Sequence, residues 1–253
     1  MKLSVSLVSF NEEANIRRTL EAVRGIAGEI VIVDSFSTDD TVRIAREEFG
    51  ATVYQHSWPG YEGQKNCCLE KCGGEWVLCL DCDEVVSPEL AAAIKKVIDG
   101  PASAAGYTVN RRTHYMGRLL RHAWQPDRKL RLVKRNANPR WEGGDPHTVM
   151  GVDGRVEKLP GDLVHYSFKN FDAHMAQTKT LARQMAESNF AGGRRSGYAA
   201  LLFKPPFLFM KRYFFQGAVL DGIPGLMAAL SSAAYVYMKY AYLWELGRGR
   251  SRA

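Results

Sequence analysis

Two aspartates one residue apart, Asp81 and Asp83, close an unbroken apolar run, Trp76–Leu80. In an extended chain alternate residues project to the same side, so both carboxylates are expected to face one spot. Hard oxygen ligands of that kind suit Mg²⁺ or Mn²⁺, and such an ion can bridge a diphosphate. The plainer alternative is an acidic turn leading into a helix after Ser87. A second apolar run, Glu29–Val33, ends in Asp34-Ser35-Phe36-Ser37-Thr38-Asp39-Asp40. Asp34 can accept from a nucleobase N–H, and Ser37 reads as the cap of a helix whose first amides would favour phosphate; capping alone is the alternative. A third run, Leu3–Ser9, leads to Asn11 and Glu12, with Asn11 placed to cap the next helix.

These groups need elements that bring them together. Leu3–Ser9, Glu29–Asp34, Thr52–Gln55 and Trp76–Asp81 read as strands, the second β-branched throughout, as in a parallel sheet buried on both faces. Between them Ile16, Leu20 and Val23, then Val42, Ala45 and Phe49, recur at helical spacing. Residues 61–72 form a further helix, and Ser87-Pro88 opens another with Ser at the cap and Pro at its first position. Alternating strands and helices predict a doubly wound α/β sheet, with its ligand beyond the carboxyl ends of the strands. Ser9, Asn11, Glu12, Asp34, Asp81 and Asp83 all fall there. From Gly106 the chain turns to short strands and basic turns, and from Phe203 to Leu246 it is aromatic and apolar. The expected division is therefore 1–105, an α/β half; 106–165, a β-rich half of the same domain; and 166–253, a helical extension.

Composition narrows the partners. The chain of 253 residues carries a net charge of +7, concentrated in two segments. Residues 111–140 hold ten Arg and Lys against Asp127 alone, and residues 203–253 hold seven against Asp221 and Glu245. Local anionic partners, phosphates or lipid head groups, follow from that distribution; no nucleic-acid-binding motif accompanies it. The tail mixes aromatic residues with Lys211, Arg212 and Lys239, and its longest uncharged stretch, 222–238, contains Pro224, glycines and serines. That reads first as helices lying on an anionic membrane surface, with homodimer packing and insertion into the membrane as the alternatives. All five cysteines fall between 67 and 82; clustering and odd number favour reduced, mostly buried thiols over disulfides or zinc. Met1–Phe10 is too short an apolar run for a signal peptide, so the catalytic part is expected on the cytoplasmic side.

The segments Leu7-Val8-Ser9-Phe10-Asn11-Glu12-Glu13, Ile32-Val33-Asp34-Ser35, Ser37-Thr38-Asp39, Gln64-Lys65-Asn66 and Leu80-Asp81-Cys82-Asp83-Glu84 together resemble glycosyltransferase family 2. Later motifs resemble its lipopolysaccharide inner-core β-1,4-glucosyltransferase subgroup: Gly106-Tyr107, Arg112, Gly117-Arg118, Trp124, Asp127, Leu130-Arg131-Leu132, His147, His165-Tyr166-Ser167, and Gly217…Asp221-Gly222…Gly225. The resemblance implies a GT-A fold and an inverting hexosyltransferase, taking glucose from UDP-glucose to a lipid-linked saccharide at the inner face of the cytoplasmic membrane. It further implies that Ser9, Asn11, Glu12, Asp34 and Ser37 line the nucleoside pocket. Lys65 approaches the donor, Asp81 meets ribose or metal, and Asp83 holds the metal on the diphosphate. His147 is either a further ligand or a plain loop residue. Inversion needs a carboxylate to take the acceptor proton; Asp145, in a Gly-rich loop, and Asp127, hemmed by Arg121, Arg128 and Arg131, are the candidates. A transferase for another envelope glycan and an inactive nucleotide-sugar-binding scaffold are the rival readings. Two departures stand out: Phe36 occupies a usual glycine position, implying a different local turn, and Thr148 follows His147 where an acidic residue is common.

Overall fold

The computed structural model describes residues 2–101, 103–144 and 148–249. It divides into two compact units, residues 1–111 with 127–165, and residues 112–126 with 166–253.

In the first unit, β1 (Leu3–Ser9), β2 (Glu29–Asp34), β3 (Thr52–Gln55) and β4 (Trp76–Asp81) run parallel in the order β3-β2-β1-β4. The sheet continues through β8 (Arg128–Lys134), β6 (Gly106–Tyr115), β11 (Val156–His165) and β5 (Glu84–Val86), with β8 antiparallel to β4 and β5 to β11, while β9 (Arg140–Glu142) and β10 (Val149–Gly151) form a separate antiparallel pair. It is thus a mixed sheet, parallel where βαβ crossovers build it and antiparallel where short connections take over. Helices α1 (Glu13–Val23), α2 (residues 41–48), α3 (Tyr61–Glu70) and α4 (Pro88–Asp99) complete the layers. Val5, Leu7, Ile16, Leu20, Ile32, Leu78, Leu90 and Ile94 form one core, while Val31, Val33, Cys68, Cys72, Val77 and Cys79 form another beneath α3. The thiols are therefore core residues, and burial pushes that of Cys79 up to about 12.

Two caps differ from expectation. Asn11 does not cap α1, because its side chain accepts from the amide of Thr38 at 2.8 Å. Nor does Ser37 cap α2, which starts at Thr41; the Asp39 carboxylate instead takes the Thr41 amide at 3.0 Å. Ser87 behaves as expected, accepting from Leu90 N.

In the second unit the end of β6 pairs with β7 (Arg118–Leu119) across Met116-Gly117, both at positive φ, the primed turn that matches strand twist. Helix α5 (Phe171–Ala191) is capped by Asn170, and α6 (Tyr198–Met210) continues as a wider turn over residues 211–215. The last helix is α7 (Gly222–Gly249). Tyr115, Leu120, Ala123, Ala218 and Ala228 make its core. Gly225 is required there by close approach: a Cβ would lie 1.9 Å from the Ala218 carbonyl oxygen. Pro224 stands in the first turn of α7 and leaves the helix unbroken. The stretch Ala218–Arg248 is consequently long and apolar enough, by length and composition, to cross a membrane, contrary to the shorter stretch expected.

Candidate active site

The carboxyl ends of β1, β2 and β4 carry the expected acidic cluster, held by a dense side-chain network. Ser9 Oγ donates to Asp34 Oδ1 at 2.7 Å, and Ser37 donates to Asp34 through its amide at 2.8 Å and its hydroxyl at 2.5 Å. The amide of Asn11 donates to Ser37 Oγ at 2.8 Å, and that of Glu12 to Thr41 Oγ1 at 2.7 Å. Glu13 and Asp39 complete the lacing, each accepting from the other loop's backbone at 3.1 Å. Loop 10–12 and loop 35–40 are thereby fastened to each other. Asn11 (φ 54°) and Phe36 (φ 60°) both adopt the left-handed region. Phe36 therefore keeps the turn a glycine would form, at some backbone cost, in place of the different turn expected.

A cavity of about 650 Å³ opens beside this network, lined by Val8, Ser9, Phe10, Glu12, Ser35, Trp58 and Tyr61. Trp58 and Tyr61 meet edge to face, centroids 4.7 Å apart, and both are about half exposed. These aromatics were not among the residues singled out from the sequence, although Trp58-Pro59-Gly60-Tyr61, a turn between aromatics just past a strand end, is the signal that points to them. Burial, reinforced by the charges of Asp83, Asp39 and Asp81, lifts the Glu12 carboxyl above its ordinary range despite a bond from Asn15.

Asp81 and Asp83 have different side-chain partners. The strand ends at Asp81, and the chain turns through Cys82-Asp83 before β5 begins at Glu84, so the alternation of an extended chain no longer applies. The Asp81 amide donates to Glu84 Oε2 at 3.1 Å across that turn. Its carboxylate takes Lys65 Nζ at 2.6 Å on one oxygen and Arg131 Nη2 at 2.8 Å on the other. Burial would raise its pKa, but these two cations hold it well below the usual carboxylate range. Asp83 instead has His165 Nε2 at 3.1 Å from its Oδ2.

Arg131 extends the cluster inward. The residue is 3% exposed, and its guanidinium also donates to Glu84 Oε1 at 2.6 Å; Glu84 is fully buried and takes Arg111 at 3.3 Å. Arg111 Nε in turn donates to Asp127 Oδ2 at 2.8 Å, and Lys129 lies 3.2 Å from Asp127 Oδ1. The partners of Asp127 are thus Arg111 and Lys129 rather than Arg121, Arg128 and Arg131. Against the upward effect of burial they keep its carboxyl below the ordinary range. Trp141 stacks over Lys65 Nζ at 4.5 Å and exchanges two backbone bonds with the Asn66 side chain. Asp145 and His147 lie outside the described residues.

Of the expected site residues, the structure brings Ser9, Asn11, Glu12, Asp34 and Ser37 into one network and joins Lys65 to Asp81. Among the described residues no group of three His, Cys, Asp or Glu side chains is arranged as a metal cage. Asp83 with His165 nevertheless offers a hard oxygen and an imidazole side by side. That pair suits an ion that takes its remaining ligands from phosphate and water.

Residues 4–152 match the model of glycosyl transferase family 2. The chain is 27% identical over 255 residues to the lipopolysaccharide core biosynthesis glycosyltransferase LpsC of Rhizobium meliloti, covering 97% of this chain and 93% of that protein. It is 28% identical to an uncharacterized glycosyltransferase of Rickettsia typhi, over 97% and 87% of the two chains. Among solved structures, the mannosyltransferase PcManGT of Pyrobaculum calidifontis, in complex with GDP-Man and Mn²⁺, superposes with a TM-score of 0.55 at 18% identity, covering 96% and 87%. S. aureus TarS 1-349 gives 0.50 at 14% identity, over 98% and 92%. The fold is accordingly GT-A.

Proposed function

The chain belongs to glycosyltransferase family 2, and from that premise we propose that it transfers glucose from UDP-glucose, with inversion, to a lipid-linked saccharide of the lipopolysaccharide core. The observation that carries the donor half of this reading is the fastened pair of loops around Asp34 beside the aromatic-lined cavity. Asp34 accepts from the uracil N–H, Trp58 and Tyr61 offer faces for the base, and Ser9, Asn11, Glu12 and Ser37 line the nucleoside pocket. The similarity to LpsC along nearly the whole chain supports the acceptor class.

Asp83 and His165 would hold a Mg²⁺ or Mn²⁺, which supplies charge neutralisation for the departing diphosphate. Asp81 orients Lys65 at the same edge, where its ammonium faces the phosphates, while Arg131 holds Asp81 from the buried side. A carboxylate must take the proton from the acceptor hydroxyl as its oxygen attacks the anomeric carbon. Asp127 is committed to Arg111 and Lys129 and is a poor base for that reason, so the role goes to Asp145. His147 stays a proposed further ligand on its sequence position alone.

The second unit would dock on the anionic inner face of the membrane. The support is α6, which buries none of its residues and exposes Tyr198, Leu202, Phe203, Phe207 and Met210 together, with Lys204 and Lys211 beside them. Titration of the full chain with UDP-glucose, GDP-mannose and other nucleotide sugars, with and without Mn²⁺, tests the donor. Tighter binding of a guanine nucleotide sugar than of any uridine one would overturn it.

A further inference from the structure

In the second unit the two motifs left unused by the transfer site, the basic stretch around Arg118 and the Gly217…Asp221-Gly222 segment, meet each other. Asp221 is 2% exposed, and its carboxylate accepts the amides of Arg121 at 3.0 Å, His122 at 2.9 Å and Ala123 at 2.7 Å. His122 Nδ1 lies 3.3 Å from the same group. Burial would raise the pKa of Asp221, but these backbone donors outweigh it and hold the group ionised, with its charge turned into the loop. Arg118 and Arg121 are exposed and have no carboxylate partner among the described residues. Both line a cavity of about 540 Å³, with Gly117, Leu119, His122, Leu220 and Asp221 itself. Next in the chain, Gly222 has φ 67°, and a Cβ there would stand 3.3 Å from Arg118 Nη1.

We propose that this cavity binds a phosphate group, gripped by the guanidiniums of Arg118 and Arg121 with His122 at its side. Guanidinium forks match the paired oxygens of phosphate, and two of them with no acidic partner leave a positive recess that an anion neutralises. The Asp221 carboxylate does not repel the ligand, because three amide dipoles already answer its charge. Its role is to fix the loop that presents Arg121 and His122. The carrier is a phosphorylated saccharide or a phospholipid head group. That choice of carrier rests on the transferase reading above; the phosphate site itself does not.

The test uses the full chain and two variants, Arg118→Gln/Arg121→Gln and Arg121→Lys. Both positions are exposed, so melting temperatures should match the parent. Calorimetric titration with inorganic phosphate should give saturable binding to the parent. It should weaken at least about tenfold in the double variant, the loss of one charge-assisted contact or more, and less in Arg121→Lys. UDP titrated with Mn²⁺ should bind all three alike. Equal phosphate binding by parent and double variant, or none by the parent, overturns the proposal. UDP failing to bind any of the three would count against the donor reading while leaving the phosphate comparison intact. A hexose phosphate and vesicles of phosphatidic acid in phosphatidylcholine identify the carrier: an arginine-dependent response to the first marks a glycan, and to the second alone a head group.

Discussion

The imidazole of His165, at the end of β11, stands 3.1 Å from the carboxylate of Asp83, which sits in the turn after β4. Asp83 is thus paired with a histidine, while Asp81 accepts from two cations, and the proposed ion would rest on the first pair. His165→Ala should therefore raise the Mn²⁺ concentration needed for half-maximal UDP binding by about 10- to 100-fold, the range for losing a partner at a metal centre. Asp83→Asn should remove the metal dependence altogether. Metal titrations of UDP affinity that leave His165→Ala unchanged would detach this histidine from the ion.

Arg131 links two acidic groups inside the protein, so removing it leaves the fully buried Glu84 with only the longer contact from Arg111. Arg131→Met should destabilise the fold by about 3–5 kcal/mol, as breaking a buried ion pair does. Arg131→Met combined with Glu84→Gln should recover part of that loss, because the stranded charge goes with it. Urea unfolding of the single and double variants reads both numbers.

Asp127 and Asp145 separate by what each loses. Asp145→Asn should keep donor affinity and lower transfer by about 10²–10⁴-fold, the usual span of general base catalysis. Asp127→Asn should retain turnover within an order of magnitude and lose stability instead. The sign with pH follows from its depressed carboxyl. Its contribution is fully present above the ordinary Asp range near 3.9 and is lost as pH falls through the lower, folded-state value. Stability curves of parent and Asp127→Asn should thus converge in strong acid, and a gap that persists there would be evidence against this ion pair.

Glu12 has the opposite sign. A carboxyl whose pKa is raised by folding is protonated more readily in the native chain, so stability falls as pH rises past its unfolded value and stays lower above its folded one. Glu12→Gln should raise the melting temperature at pH 7 while weakening nucleotide-sugar binding. A melting temperature below the parent's would show that its bond to Asn15 outweighs the burial.

The strands β1, β2 and β4 are legible in the sequence because parallel strands buried on both faces leave continuous apolar runs, and polar residues that end such runs fall on one edge. The Cys82-Asp83 turn is not legible, since it depends on Glu84 reaching back to the Asp81 amide. The pairing of Arg131 with Asp81, rather than with Asp127, is hidden for a different reason. That contact requires β8 to lie beside β4, with Leu132 opposite Leu78, a pairing across more than fifty residues that no local pattern encodes. The caps at Asn11 and Ser37 are misassigned because Asn11 Oδ1 accepts from Thr38 and Ser37 Oγ is taken up by Asp34 and the Asn11 amide, not by the helices that follow them.

That mutual engagement of the loops bears on how a ligand arrives. Side chains of residues 10–13 satisfy amides of residues 35–41 and the reverse, so the floor of the cavity is ordered when the chain folds. The conformational entropy of seating a nucleotide on that side has been surrendered in advance, and binding there needs no loop to find its place. Encounter with the base should then be limited by diffusion and orientation rather than by rearrangement, giving single-phase association whose rate climbs linearly with nucleotide concentration.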